Sequence, residues 1–353
     1  MNNYEKNISA VLSGLHSNPE LQKTIDIDDL RIVVFSDHHR GEQDGADDFR
    51  HCKPAYHAAL GYYLESGYTL YLLGDVEELW ECHPGRVVRT YRDTLNLERE
   101  FARDARLIRF YGNHDDHWGK PGTLTNTLRK ELQFAEDIPV YESVRVTITS
   151  AEGTIGEMLF LHGHQGETLS DRFSVLSRWI VRYIWRPFQR LTKIPSTTPA
   201  TSFELRKKHE LAQYQWASSQ SGTLLFAGHT HHPVFSSQSH ESYLHQLIDQ
   251  LREEKKTADS PAKLEEIQNS INHHSAELQW VLAKSSGVEM VLPPDSPPCY
   301  FNTGCCSFGD GDITGLEIAD GEIRLIRWPD DQGNPRRKIL RRGSLREILE
   351  RCA

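Results

Sequence analysis

The chain carries little sulphur, no excess of positive charge and no long apolar run. Its 353 residues include only three methionines and six cysteines. Those cysteines, Cys52, Cys82, Cys299, Cys305, Cys306 and Cys352, are scattered without CxxC spacing, which excludes a zinc knuckle and a disulfide scaffold and makes a reducing, cytoplasmic setting the expectation. A net charge of -10 argues against a protein that coats nucleic acid, because such proteins carry a basic surface. No stretch reaches the roughly 18 to 20 apolar residues of a membrane span, and residues 1–30 lack the apolar segment of a secretory leader. Histidine is the abundant residue, 18 in all, and it is clustered.

With 38% hydrophobic residues the chain can bury a large core. Short apolar runs end abruptly in polar clusters: RIVVFSDHH from Arg31, YTLYLLGD from Tyr68, RLIRFYGNHD from Arg106, MLFLHGH from Met158 and TLLFAGHTH from Thr223. These read as buried strands, and the clusters fall on the loops just beyond their carboxyl ends, where ligands bind in open α/β sheets. Helical stretches at 55–65 and 97–105 separate the first three, so the fold class is α/β. Around Asp310-Gly311 and Asp320-Gly321 the tail, 299–328, reads as hairpin turns in an antiparallel portion.

Residues 1–30 read as an N-terminal helical extension and 31–353 as one domain with helical insertions at about 168–221 and 236–298. In the second insertion Leu244, Leu247, Ile248 and Leu251 share one helical face, and Ser260-Pro261 restarts a helix carrying Leu264, Ile267 and Ile271, which makes a helical hairpin for packing or dimer contact. In the first, Arg178, Arg182, Arg186 and Arg190 recur every fourth residue among Trp179, Ile180, Ile184, Trp185 and Phe188. Like charges at that spacing repel on a helix. They are relieved by anions, whether substrate phosphates under an Arg-rich lid, an anionic lipid surface met through 172–190, or acidic groups of the chain itself.

The five clusters are Asp37-His38-His39, Gly74-Asp75, Gly112-Asn113-His114-Asp115, His162-Gly163-His164 and Gly228-His229-Thr230-His231. Each offers carboxylate, imidazole or amide donors and none offers a thiolate, the donor set of manganese, iron or zinc. Turn chemistry explains Gly and Asp but not repeated His.

In order and wording these motifs resemble the calcineurin-like metallophosphoesterases. The resemblance runs from about Arg31 to Pro233, with Asn302-Thr303-Gly304 similar to the family's closing strands. It implies a four-layer α-β-β-α sandwich of two mixed sheets and a hydrolase, phosphatase or phosphodiesterase that acts on a small phosphorylated substrate. It also implies two divalent cations, manganese foremost: Asp37, His39 and His231 on one, Asn113, His162 and His229 on the other, and Asp75 between them. His114 becomes the candidate proton donor with Asp115 to orient it, and Arg178, Arg182 and Arg186 the candidate substrate contacts. The run from Gly74 to Trp80 is most similar to the bacterial branch that includes UDP-diacylglucosamine pyrophosphatase. This chain departs from that branch in carrying His114 in place of Arg and in the second insertion. A nuclease or protein phosphatase would use the same metal centre. A scaffold that had lost its metals would lack ligands, and all seven are filled.

Overall fold

The computed structural model describes residues 3–166, 200–284, 292, 296–330 and 333–353. Arg178, Arg182, Arg186 and Arg190 lie outside these.

The chain is α/β, built on two mixed seven-stranded sheets with nine helices among the described residues. The first sheet runs β1 (Leu21–Asp26), β6 (Ser143–Ser150), β7 (Gly153–Leu161), β8 (Thr223–Ala227), β11 (Tyr300–Asn302), β9 (Val234–Phe235), β10 (Gln238–Ser239). The second runs β14 (Lys338–Ser344), β13 (Glu322–Trp328), β12 (Ile313–Ala319), β2 (Arg31–Phe35), β3 (Thr69–Leu73), β4 (Leu107–Phe110), β5 (Val140–Tyr141). Strands β2 to β5 are mutually parallel, as are β7, β8 and β11.

Alternation along β2 divides the interior. Ile32 and Val34 join a core built from both sheets, with Val146, Phe160, Phe226 and Leu316. Val33 and Phe35 point the other way, into a second core with α2 (Phe49–Glu65), α3 (Pro84–Thr90), α4 (Arg92–Arg103) and α5 (Thr123–Leu132). This period of two is what a strand covered on both faces requires. Ile8 and Leu12 of α1 (Asn3–Ser17) and Ala212 and Trp216 of α6 (Ala200–Ser218) pack on the first core. Residues 1–30 hold a strand as well as a helix, since β1 pairs parallel with β6.

Asp320 and Gly321, both at positive φ, form the two-residue turn of the β12–β13 hairpin. Asp310-Gly311 does not turn a hairpin, contrary to the expectation, because β11 belongs to the first sheet and β12 to the second and the chain crosses between sheets there. Helices α7 (His240–Thr257) and α8 (Pro261–Leu282) pack on each other through Ile248, Ile267 and Ile271, and Ser260 caps α8 by accepting from the Lys263 N–H. Helix α9 (Leu345–Glu350) buries Leu345 and Leu349 in the first core. Among the described residues no helix is long and apolar enough to cross a membrane.

Candidate metal centre

Five of the strands above end at one place. After β2, β3 and β4 come Asp37 to His39, Asp75, and Asn113 to Asp115; after β7 and β8 of the other sheet come His162, and His229 to His231. Three donor groups form there: Asp37, His39 and His231; His39, Asp75 and His114; and Asp75, His162 and His229. Asp75 joins the sets, its Oδ2 lying 3.2 Å from His162 Nε2 and 3.9 Å from His39 Nε2.

The backbone is strained to bring these donors in. Asp37, His39, Asp75, His229 and His231 all have φ between 49° and 67°, the left-handed region that non-glycine residues rarely enter. Gly112 is required by close approach, since a Cβ there would strike the Asp75 carboxylate and lie 2.7 Å from His162 Cδ2. Gly228 leaves room in the same way for Ser36 and Asp37.

Hydrogen bonds settle which nitrogen faces the centre. His162 Nδ1 is 2.6 Å from the Leu73 carbonyl, which can only accept, so Nδ1 carries a proton and Nε2 is the nitrogen that faces Asp75; burial would lower the His162 pKa, but Asp75 and Asp37 raise it to about 9. That buried Nε2 has no hydrogen bond, and neither has the buried Oδ1 of Asn113. His39 Nδ1 lies 3.3 Å from Glu78 Oε2, which leaves Nε2 only 3.1 Å from His231 Nε2, while His231 Nε2 is 3.2 Å from Asp37 Oδ1. Imidazoles tied back by a carbonyl or carboxylate are how proteins orient metal ligands. Burial would raise both carboxylates, but His231 holds Asp37, and His162 holds Asp75, below the ordinary carboxylate range. His231 is pushed down to about 4 by burial against the pull of Asp37, with His39 and Arg206 adding to the push. Cys305 reaches the Asp37 carbonyl at 3.6 Å but burial holds its thiol up at about 12, so it stays a neutral donor. The donors fit divalent cations of the manganese, iron or zinc kind.

His114 borders this centre and is held firmly. Its Nδ1 is 2.7 Å from Glu78 Oε2 and its ring stacks on Trp80, centroids 4.1 Å apart at 18°. Burial would lower its pKa, but Glu78 and Asp75 raise it to about 9. Asp115 does not orient it, a correction to the expectation. The Asp115 carboxylate is buried and accepts from the backbone N–H groups of Gly112, Asp75 and Val76 at 2.6, 3.2 and 2.9 Å, tying the loop after β4 to the loop after β3. Burial, with Asp75 and Glu77 beside it, lifts its pKa to about 7.

His38 points away from the centre into the second core, edge-on to Phe49 and Tyr56. His164 lies beside His162, ring centroids 5.4 Å apart, and His232 Nδ1 is 3.6 Å from Glu210 of α6. Nothing in the sequence singles out His209 of α6. Its Nε2 donates to the Gly163 carbonyl and its Nδ1 accepts from Tyr4 of α1 at 2.9 Å, so α1 and α6 together brace the loop that follows His162. Glu78 likewise carries no signal of its own, although it sits inside the Gly74 to Trp80 run.

No protein-family model matches the chain, and no curated protein matches it.

Proposed function

We propose that this chain is a dinuclear metal-dependent phosphoesterase of the calcineurin-like metallophosphoesterase class, with its two sheets as the middle layers of an α-β-β-α sandwich. The observation that carries the reading is the convergence of Asp37, His39, Asp75, His162, His229 and His231 from strand ends of both sheets, with the buried His162 Nε2 and the buried Oδ1 of neighbouring Asn113 making no hydrogen bond. Asp37, His39 and His231 would hold one cation, Asn113, His162 and His229 the other, and Asp75 would lie between. Bound there, divalent cations acidify water and offset charge on a phosphate.

The chain's own share of the work falls to His114. A departing alkoxide needs a proton, and an imidazole raised by Glu78 and stacked on Trp80 holds one at neutral pH, beside His39 and Asp75. His114→Gln will cut turnover of esters with poor leaving groups by about 10²-fold and spare activated aryl esters. Glu78→Gln will move the same way, since the proton then loses its stabilising charge. Equal losses on both ester types would remove His114 from this role.

The reaction class is tested with a manganese-loaded enzyme and four substrates: an aryl monoester, an aryl diester, a nucleotide-sugar pyrophosphate and a dinucleoside polyphosphate. Hydrolysis of one or more, abolished by chelation and restored by metal, is expected. Failure on all four with metals measured in the protein would overturn the reading. Because His114 occupies a position where the UDP-diacylglucosamine branch carries Arg, a simple diester or monoester is favoured over the nucleotide-sugar substrate.

A further inference from the structure

A second group of metal donors lies far along the chain from the first, on the helical pair. His273, His274 and Glu277 follow one another on α8 so that one nitrogen from each imidazole and one carboxylate oxygen lie within 4.8 Å of one another. Spacings of three and four residues place both histidines on the face of the helix that carries Glu277. His274 Nδ1 is 3.5 Å from Glu277 Oε2, buried, and makes no hydrogen bond. As at His162 and Asp75, an imidazole nitrogen stands close to a carboxylate oxygen, here on side chains 27% and 12% exposed.

The other carboxylate oxygen is held. His240, fully buried at the start of α7, lies with Nε2 2.7 Å from Glu277 Oε1. That contact fixes the carboxylate and leaves Oε2 turned to His274, the orienting role that a neighbour of a metal-ligating carboxylate performs. Two donors each about 2.0 to 2.1 Å from a tetrahedral zinc ion stand about 3.4 Å apart, which matches the His274 to Glu277 separation. The His273 ring, centroid 5.2 Å from that of His274, offers the third donor of a His-His-Glu set, with water in the fourth place.

The helical pair has a use for such an ion. Its own apolar cluster consists of Ile248, Ile267 and Ile271, with Leu251, Ala258 and Leu278 partly buried against it. So small a core stabilises two long helices weakly, and a cation on α8 joined through Glu277 to His240 on α7 would fasten them near their junction with the domain.

We propose that His273, His274 and Glu277 form a third cation site, selective for zinc-like borderline divalent ions, which staples α8 to α7 through His240. The test counts metal in the full chain. Wild-type protein and the His273→Ala/His274→Ala double variant are stripped with chelator, loaded with zinc, dialysed and analysed for zinc per chain by elemental mass spectrometry. Both keep the strand-end centre, so the expected result is one zinc fewer in the double variant. Glu277→Gln, which keeps the side-chain volume and both histidines, will also lose that ion, and it supplies the comparison if the double variant does not fold. Equal zinc contents in wild type and variant overturn the proposal. The result is independent of catalysis: a chain with no phosphoesterase activity still shows the difference if the site exists.

Discussion

Asp75→Asn will empty the metal centre while leaving the fold in place. The amide keeps the volume of the carboxylate and retains an oxygen to accept from the His114 N–H, which lies 2.8 Å from Asp75 Oδ1. What disappears is the negative charge that belongs to two of the three donor groups. Wild-type protein will gain stability on adding manganese, about 2.7 kcal/mol at a free concentration 100 times Kd, and the variant will gain almost nothing in the same thermal shift. Turnover will fall by about 10³-fold, the upper end of the loss that follows removal of one preorganised electrostatic contact, because this contact serves both sites. A variant that keeps two metals per chain, or a manganese-dependent rise in Tm equal to that of wild type, would show that Asp75 does not bridge.

The positions of the candidate donors are legible in the amino-acid sequence because buried parallel strands are continuous apolar runs, and the first polar residue marks where each strand leaves the sheet. Phe35, Leu73, Phe110, Leu161 and Ala227 are the last residues of such strands, and each is followed within three residues by a donor. Partner choice across loops is another matter. Asp115 is next to His114 in the chain, yet Glu78, 36 residues earlier, holds its ring, because neighbours in a tight turn point in different directions. Strand β1 is hidden for a related reason. An edge strand with one solvated face offers few apolar residues, here Leu21 and Ile25, and nothing in that pattern announces pairing with β6. Buried charge is the hardest feature to foresee: Glu98 in the run RDTLNLEREFAR looks like any solvated helix residue, and it is nearly fully buried.

Glu98→Gln will destabilise the chain by about 3 to 5 kcal/mol, the cost of breaking a buried ionic group by removing one partner. Arg40, Glu77, Glu98 and Arg109 form a closed ring with none more than 2% exposed. Arg40 pairs with Glu98 and lies 3.6 Å from Glu77; Arg109 lies 2.6 Å from Glu77 and 3.4 Å from Glu98. Tyr56 and Trp118 donate to the two carboxylates at 3.0 and 2.9 Å. Two positive and two negative charges balance, so removing one carboxylate charge leaves two guanidiniums facing a single glutamate in a site that water does not reach. Urea unfolding measures the loss, and a change under 1 kcal/mol would mean that the ring is not electrostatically closed. The pH dependence has a definite sign. Burial would raise Glu98, but Arg40 and Arg109 hold it below its ordinary value. Its contribution is therefore fully present above the unfolded glutamate pKa of about 4.3 and is lost as pH falls from there through the lower native value; the variant's stability will respond less over that window. The same ring reaches the metal centre. Arg40 directly follows His39, its N–H donates to the Val76 carbonyl at 3.0 Å, and its carbonyl accepts from Glu78 at 2.9 Å. Arg40 thus ties the loops of Asp37 and Asp75 together through its backbone while its side chain is anchored in the ring, and Glu98→Gln, by loosening that anchor, will weaken manganese binding even where the variant remains folded, a loss that equilibrium dialysis at low temperature will measure.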